Sequence, residues 1–336
     1  MANILVTGGF GFLGSHLIER LLAEPANRVH VVDNLSTNPL PLDFLLDELG
    51  HPPHLTYTIC SVAEYCRSRV PVYDQIFHLA SIVGPAGVIP HMGKIVKSIV
   101  DDAYDLIRVA LESKARLVDV STSEVYGGGQ EGFCSETMAR IVPAKSSARL
   151  EYAVGKLAAE TALLNTCQVT DLNASIVRPF NISGPRQSGK GGFVLPRFIA
   201  LALRNMDLTV FGNGQQVRAF TNVKDVVDGI IQVAQAGKRG EAYNVGNPAN
   251  RCTIDELADA VIRITGSQSS KVYVDPRTIY GPLYEEANDK YPDARKITQE
   301  LGWRPRYSRD ETIQQTANYM CHLPKEIILH LAGDRA

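Results

Sequence analysis

Apolar residues along this chain fall into two patterns that alternate. Short, near-continuous apolar runs occupy Asn3–Thr7, Arg28–Asp33, Gln75–Ala80 and Arg116–Ser121. Between them lie segments of helical period. Gly14–Ala23 turns Leu17, Ile18, Leu21 and Leu22 to one side, and Gly93–Ser113 has the length and spacing of a long helix. Strands apolar on both faces and separated by helices predict a parallel sheet covered on both sides. A doubly wound α/β sheet is the packing that satisfies this. Asn173–Pro179 reads as a further strand.

After Pro179 the pattern loosens. Asn181–Gly192 holds four glycines, one proline and two basic residues and reads as a loop. Leu195–Asn205 is helical and Leu208–Phe211 is a short strand. Asp225–Ala236 is a helix returning to the first sheet, and Thr253–Gly266 and Asp293–Leu301 are further helices. The expected division is a sheet domain over 1–180 with a return segment at about 222–248. A smaller α/β lobe, interleaved with it, takes 181–221 and 249–330.

Composition narrows the class. The 336 residues are 45% hydrophobic and 21% charged, with a net charge of -2, which excludes a disordered chain and a membrane bundle. The 34 Lys+Arg balance 36 Asp+Glu, so nothing in the bulk charge argues for nucleic acid or an acidic membrane surface. No run reaches 18 apolar residues, so no membrane span is expected. With a strand and glycine turn at the N-terminus, no signal peptide is expected. The six cysteines are scattered, without a CxxC pair or a histidine at ligand spacing. The expectation is a cytoplasmic protein with neither metal nor disulfides.

The first candidate chemistry lies at Val6-Thr7-Gly8-Gly9-Phe10-Gly11-Phe12-Leu13-Gly14, between the first strand and the first helix. It offers GxGxxG from Gly9 and, alternatively, GxxGxxG from Gly8. Such glycines let the backbone approach a pyrophosphate, and the helix start at Phe12 and Leu13 presents unpaired N–H groups to it. Asp33 ends the second strand 19 residues past Gly14, placed to accept from a ribose diol. An acid there, followed by Asn34 and no arginine, favours NAD over NADP.

The second candidate is Tyr152-Ala153-Val154-Gly155-Lys156, which puts a phenol and an ammonium on one helix face. The strand before it ends in Ser121-Thr122-Ser123-Glu124-Val125-Tyr126-Gly127. In a parallel sheet the C-terminal strand ends face the ligand crevice. A Lys⁺ beside the phenol is expected to draw its pKa down toward neutrality and make it a base for an alcohol proton.

These motifs are similar to those of the extended short-chain dehydrogenase/reductases that act on nucleotide sugars, a Rossmann family. The resemblance runs from about Ile4 to about Pro305 and rests on TGGFGFLG, QIFHLAS, STSEVYG, YAVGK, RPFNISGPR, VFGNGQQVRAF, YNVGNP and LGW-P in that order. It implies that Thr122, Tyr152 and Lys156 are the catalytic hydroxyl, base and lysine, with Ser123 and Glu124 beside them. Leu79, Ala80, Ser121 and Pro179 would line the cofactor. Asn181, Arg186, Val194, Arg197, Phe211, Gln216 and Arg218 would hold the nucleotide sugar, with Arg218 on the diphosphate. A homodimer through the long helix and the Tyr152 helix is implied as well.

The choice of reaction turns on Thr122-Ser123-Glu124. The family's 4,6-dehydratases carry Asp where this chain has Ser123, and its simple 4-epimerases usually lack the carboxylate of Glu124. Thr-Ser-Glu resembles UDP-glucuronate decarboxylases. The segment Ile279–Asp293 also resembles the pentose-forming branch, but Lys290 stands at the arginine position, keeping the charge and losing the fork. In relatives that arginine lies near the phosphates or the sugar carboxylate. The expected activity is NAD-dependent decarboxylation of UDP-glucuronate to UDP-xylose or a UDP-4-ketopentose. A UDP-sugar or UDP-uronate 4-epimerase, or a non-catalytic NAD-binding regulator, are the alternatives.

Overall fold

The computed structural model describes residues 1–127, 133–140, 142, 146–286 and 289–332. A seven-stranded sheet forms its centre. In chain order its strands are β1 (Asn3–Thr7), β2 (Arg28–Asp33), β3 (Leu55–Ile59), β4 (Gln75–His78), β5 (Arg116–Val120), β6 (Asn173–Pro179) and β7 (Ala242–Val245). All pairings are parallel, in the order β7-β6-β5-β4-β1-β2-β3. The winding reverses between β1 and β4, and a crevice opens at their C-terminal ends, where Thr7 lies opposite His78.

The helices that position this crevice are α1 (Phe12–Leu22), α2 (Leu42–Glu48), α3 (Val62–Arg67), α4 (Ile95–Ser113), α5 (Ala148–Val169), α6 (Val194–Ala202), α7 (Val223–Ala236) and α8 (Ile254–Thr265). Alternate strand residues point to opposite faces. Ile4, Val6, Val31, Phe77 and Val177 pack with Leu17 and Ile18 of α1 and Ile230 of α7. Leu5, Val32, Ile76 and Leu117 pack with Val62 of α3, Leu106 of α4 and Leu163 of α5. Burial on both faces is why these strands carry apolar residues almost without interruption.

Beside the sheet, α6 and α8 accompany two short strand pairs. Leu208–Phe211 runs parallel to Lys271–Val274, and Val217–Ala219 antiparallel to Arg251–Thr253. Phe198, Val210, Leu257 and Val261 continue the core that contains Val31 and Val177. Helix α8 starts on a capping box between Thr253 and Glu256 and stops at Gly266, where φ of 65° suits glycine.

Two strands leave little trace in the sequence pattern. β3 is an edge strand of sequence LTYTI with Tyr57 and Ile59 exposed, so it lacks an apolar run. β7 is four residues long, and its stretch reads more readily as a motif than as a strand. The elements given ends from the sequence lie within about three residues of them, the scatter normal at helix termini, whereas α2, α3 and the strand Lys271–Val274 were not expected.

Candidate active site

Geometry at the glycine turn separates the two possible spacings. Gly8 has φ of 69°, and a Cβ there would lie 2.6 Å from the backbone nitrogen of Ala80. A Cβ on Gly14 would strike the carbonyl oxygen of Gly8 at 2.1 Å. Gly9 instead makes room for the side chain of Val31, a packing role. The working turn is therefore Gly8, Gly11 and Gly14. Gly11 caps α1 without a side-chain hydrogen bond to the helix N–H groups, the kind of helix start that suits a phosphate.

Asp33 closes the same edge. It is buried, and its carboxylate accepts from the backbone N–H of Phe10 at 3.0 Å and of Leu35 at 2.8 Å. Burial raises its pKa while these backbone donors pull it back. Asn34 is exposed and accepts from the N–H of Ser36 at 3.0 Å, shaping the turn beside it. At the facing strand ends, the Thr7 hydroxyl bonds His78 Nδ1 at 2.7 Å, and the N–H groups of Leu79 and Ala80 reach Thr7 at 3.0 and 3.4 Å. His78 is buried, and burial, with Lys156 nearby, lowers its pKa to about 3, so it stays neutral. The hydroxyl oxygens of Ser81 and Ser121 are buried and have no partner among the described residues. Buried polar atoms are nearly always satisfied. Two such atoms beside a glycine cradle and the buried acid Asp33 fit a dinucleotide.

Thr122 to Tyr126 follow β5, and Tyr152 and Lys156 project from α5 toward them. The Thr122 hydroxyl accepts from the N–H of Glu124 at 3.2 Å and lies beside the Tyr152 phenol. Lys156 is buried and donates to the carbonyl of Val120 at 3.0 Å. The expected lowering of the Tyr152 pKa is absent here. Burial pushes it well above its ordinary value, and the neighbouring Thr122 offsets only part of that. Ser123 is buried in the turn, and Pro179 ends β6 opposite Val245.

Glu124 is clamped between two cations. Arg149 forks onto it with two bonds of 2.8 Å, and Lys290 donates to the same carboxylate. Burial alone would raise the Glu124 pKa, but Arg149 and Lys290 outweigh it and hold the carboxyl well below the usual range. Burial lowers the Lys290 pKa to about 8; Glu124 opposes the shift, while Arg149 and Arg218 add to it. Lys290 thus belongs to the reacting end of the crevice. Sequence reasoning passed over Arg149. Its signal was helical spacing, since Arg149, Tyr152 and Lys156 fall at i, i+3 and i+7 on α5. Beneath this group, Arg178 and Glu160 form a fully buried pair, and Arg178 also donates to the Tyr126 hydroxyl at 3.0 Å. That fixes the turn after β5 against β6 and α5.

The lobe side holds a cleft of about 450 Å³ lined by Phe211, Gln216, Tyr284, Glu286 and Asp289 among others. Arg197 stacks over Phe211 at 4.0 Å and bonds Thr209, so it lies under the cleft floor. Gln216 donates to the Phe211 carbonyl at 3.1 Å. Arg218 is buried, and its guanidinium bonds Glu286 at 2.9 Å. It meets Lys290 in an isolated backbone bridge, so cleft and reacting end adjoin. Asn181 takes a φ of 36° and donates to the Ala219 carbonyl at 3.3 Å, next to Arg218. Val194 begins α6 beside the 189–193 turn that bonds Ala86. Arg186 departs from expectation: Glu19 at 2.7 Å and Glu48 at 2.9 Å take its fork, tying the loop to α1 and α2. In the segment Ile279–Asp293, Ala287 and Asn288 lie outside the described residues.

A parallel sheet with a glycine turn, a buried acid at the end of β2, and a Thr-Tyr-Lys group at the strand ends defines an enzyme of the short-chain dehydrogenase type. The chain belongs to the NAD dependent epimerase/dehydratase family, whose model matches residues 4–246. Its similarity extends further than that model. The UDP-N-acetyl-α-D-glucosaminuronate decarboxylase of Bacillus cytotoxicus is 33% identical over 317 residues, covering 94% of this chain and 96% of the relative. UDP-glucuronic acid decarboxylase 6 of Arabidopsis thaliana is 33% identical over 310 residues, 90% of this chain and 84% of the relative. Among solved structures, UDP-glucuronic acid 4-epimerase of Bacillus cereus, in complex with UDP-glucuronic acid and NAD, superposes with a TM-score of 0.80 at 25% identity. It covers 94% of this chain and 98% of its own.

Proposed function

We propose that the protein is an NAD-dependent decarboxylase of a UDP-linked uronate, with UDP-glucuronate as the substrate. The observation that carries this is the pair Arg149 and Lys290, which together outnumber the one carboxylate of Glu124 they share. An excess buried cation is costly unless an anion joins it. A uronate brings a carboxylate to that place and a neutral hexose does not. The relatives named as decarboxylases of UDP-uronates support the same reading.

Gly8, Gly11, Phe12, Leu13, Gly14 and Asp33 would hold NAD, which when bound takes up a hydride from sugar C4 and later returns it. Tyr152 accepts the C4 hydroxyl proton, Thr122 orients that hydroxyl, and Lys156 supplies the charge that favours phenolate. With C4 a ketone, the C6 carboxylate is that of a β-keto acid. The C5–C6 bond breaks, CO₂ leaves with the carboxylate carbon, and the electron pair passes into the C4 carbonyl until C5 regains a proton. Glu124, held ionised, orients Arg149 and Lys290 and is not itself the acid.

In this reading the dinucleotide belongs to 1–180 with 222–248, and the nucleotide sugar to 181–221 and 249–330. No helix among the described residues is long and apolar enough to cross a membrane. We place the enzyme in the cytoplasm as a homodimer paired through α4 and α5, where Tyr104 is 58% exposed. Light scattering at micromolar concentration should give twice the chain mass, and a monomer mass would contradict the pairing.

The excess charge also predicts a linked proton. At pH 8–9 Lys290, with its pKa near 8, is partly neutral, and a carboxylate bound beside it draws the proton back. Calorimetry in buffers of different ionisation enthalpy should show proton uptake with UDP-glucuronate and none with UDP-glucose. Equal uptake with both would remove the uronate argument.

A further inference from the structure

We infer that Glu286 stands in for the substrate's diphosphate on Arg218 and must leave the guanidinium before a nucleotide can bind there. This rests on the reading of Arg218 as the diphosphate ligand. The two partners differ in exposure: the Arg218 side chain is 8% exposed and the Glu286 side chain 36%. The arginine is thus fixed in the wall, while the carboxylate reaches it from the solvent side of the cleft. Tyr284 donates to the second Glu286 oxygen at 2.9 Å, which aims the carboxylate at the fork. Tyr284 is itself stacked on Tyr280 and edge-on to Phe211. Arg218 also donates to its own neighbour, the Val217 carbonyl, at 2.9 Å, which holds the guanidinium in the same place whether or not Glu286 is present.

A carboxylate and a phosphate bind a guanidinium through the same forked geometry, so they compete for it. Left in the cleft, Glu286 would also repel an anionic ligand at close range. Its displacement lowers nucleotide affinity and eases release of the nucleotide product. A structural clamp that merely holds Arg218 in position would act in the opposite direction. The sign of the change therefore decides between them.

The test is calorimetric titration of the full-length protein with UDP, and separately with inorganic pyrophosphate. Glu286→Gln should bind both at least tenfold more tightly than the wild type. Tyr284→Phe, which loosens Glu286 without altering a charge, should shift affinity in the same direction by less, and it serves if Glu286→Gln fails to fold. Arg218→Met should lose binding, and adding Glu286→Gln to it should restore nothing. Affinity unchanged or weakened in Glu286→Gln overturns the inference. Pyrophosphate binding without UDP binding would instead remove the uridine part of the proposed substrate and leave the role of Glu286 standing. If neither ligand binds any of the variants, both fall.

Discussion

Tyr152→Phe loses turnover by about 10²–10⁴-fold, the usual cost of removing a general base, while NAD binds as in the wild type. The phenol is the group placed to take the C4 proton, and it has little else to do. Its ring packs with Ile95, Ile99 and Ala103 of α4, contacts that phenylalanine keeps. The hydroxyl itself lies beside Thr122, which follows β5. Burial raises the phenol's pKa, so a base forms only when positive charge is brought up to it. The check is steady-state turnover alongside calorimetric NAD affinity on one preparation. Turnover near the wild-type rate would mean that another group takes the proton.

Glu124→Gln is the second large effect, and it acts on charge. The glutamine keeps shape and one acceptor but cannot balance Arg149 and Lys290, which then face one another across a buried gap. Removing one partner of a buried ion pair costs roughly 3 kcal/mol or more, so the melting temperature should fall. Linkage gives the same sign. The Glu124 pKa is held below its unfolded value, so its stabilisation is fully present above the unfolded pKa near 4.3 and is lost as pH falls below it. The wild type should therefore lose stability in acid more steeply than Glu124→Gln. If the uronate carboxylate needs Arg149 and Lys290 in place, CO₂ release should fall by roughly 10²-fold or more, as when preorganised charge is lost from a site. A variant that melts early yet decarboxylates at full rate would leave Glu124 a purely structural residue.

Much of this site was legible because its parts depend on short-range spacing. The Gly8–Gly14 turn, Asp33 at the end of β2, and the Tyr152–Lys156 pair each lie within one strand–helix unit, where period and punctuation carry the information. Long-range pairing was not legible. Arg186 sits in a glycine-proline context that suggests an anion, yet Glu19 and Glu48, 167 and 138 residues away, claim it. Lys290 was read against an arginine near phosphates or sugar carboxylate, and only the fold brings it to Glu124, 166 residues away. The edge strand β3 escaped for a related reason. Strands buried on both faces announce themselves by composition, whereas an edge strand half in water carries threonine and an exposed tyrosine. The pKa of Tyr152 was misjudged because helical spacing to Lys156 says nothing of how deeply the phenol is buried.

The central claim is that this chain removes C6 from a UDP-linked uronate. UDP-glucuronate and UDP-N-acetylglucosaminuronate, each offered separately with NAD to the purified protein, test it through the carbon that leaves. Labelled at C6, the preferred uronate should yield labelled CO₂ in step with a UDP-linked five-carbon sugar. Conversion to the C4 epimer with the label retained, or bound NAD with neither uronate consumed, would contradict it.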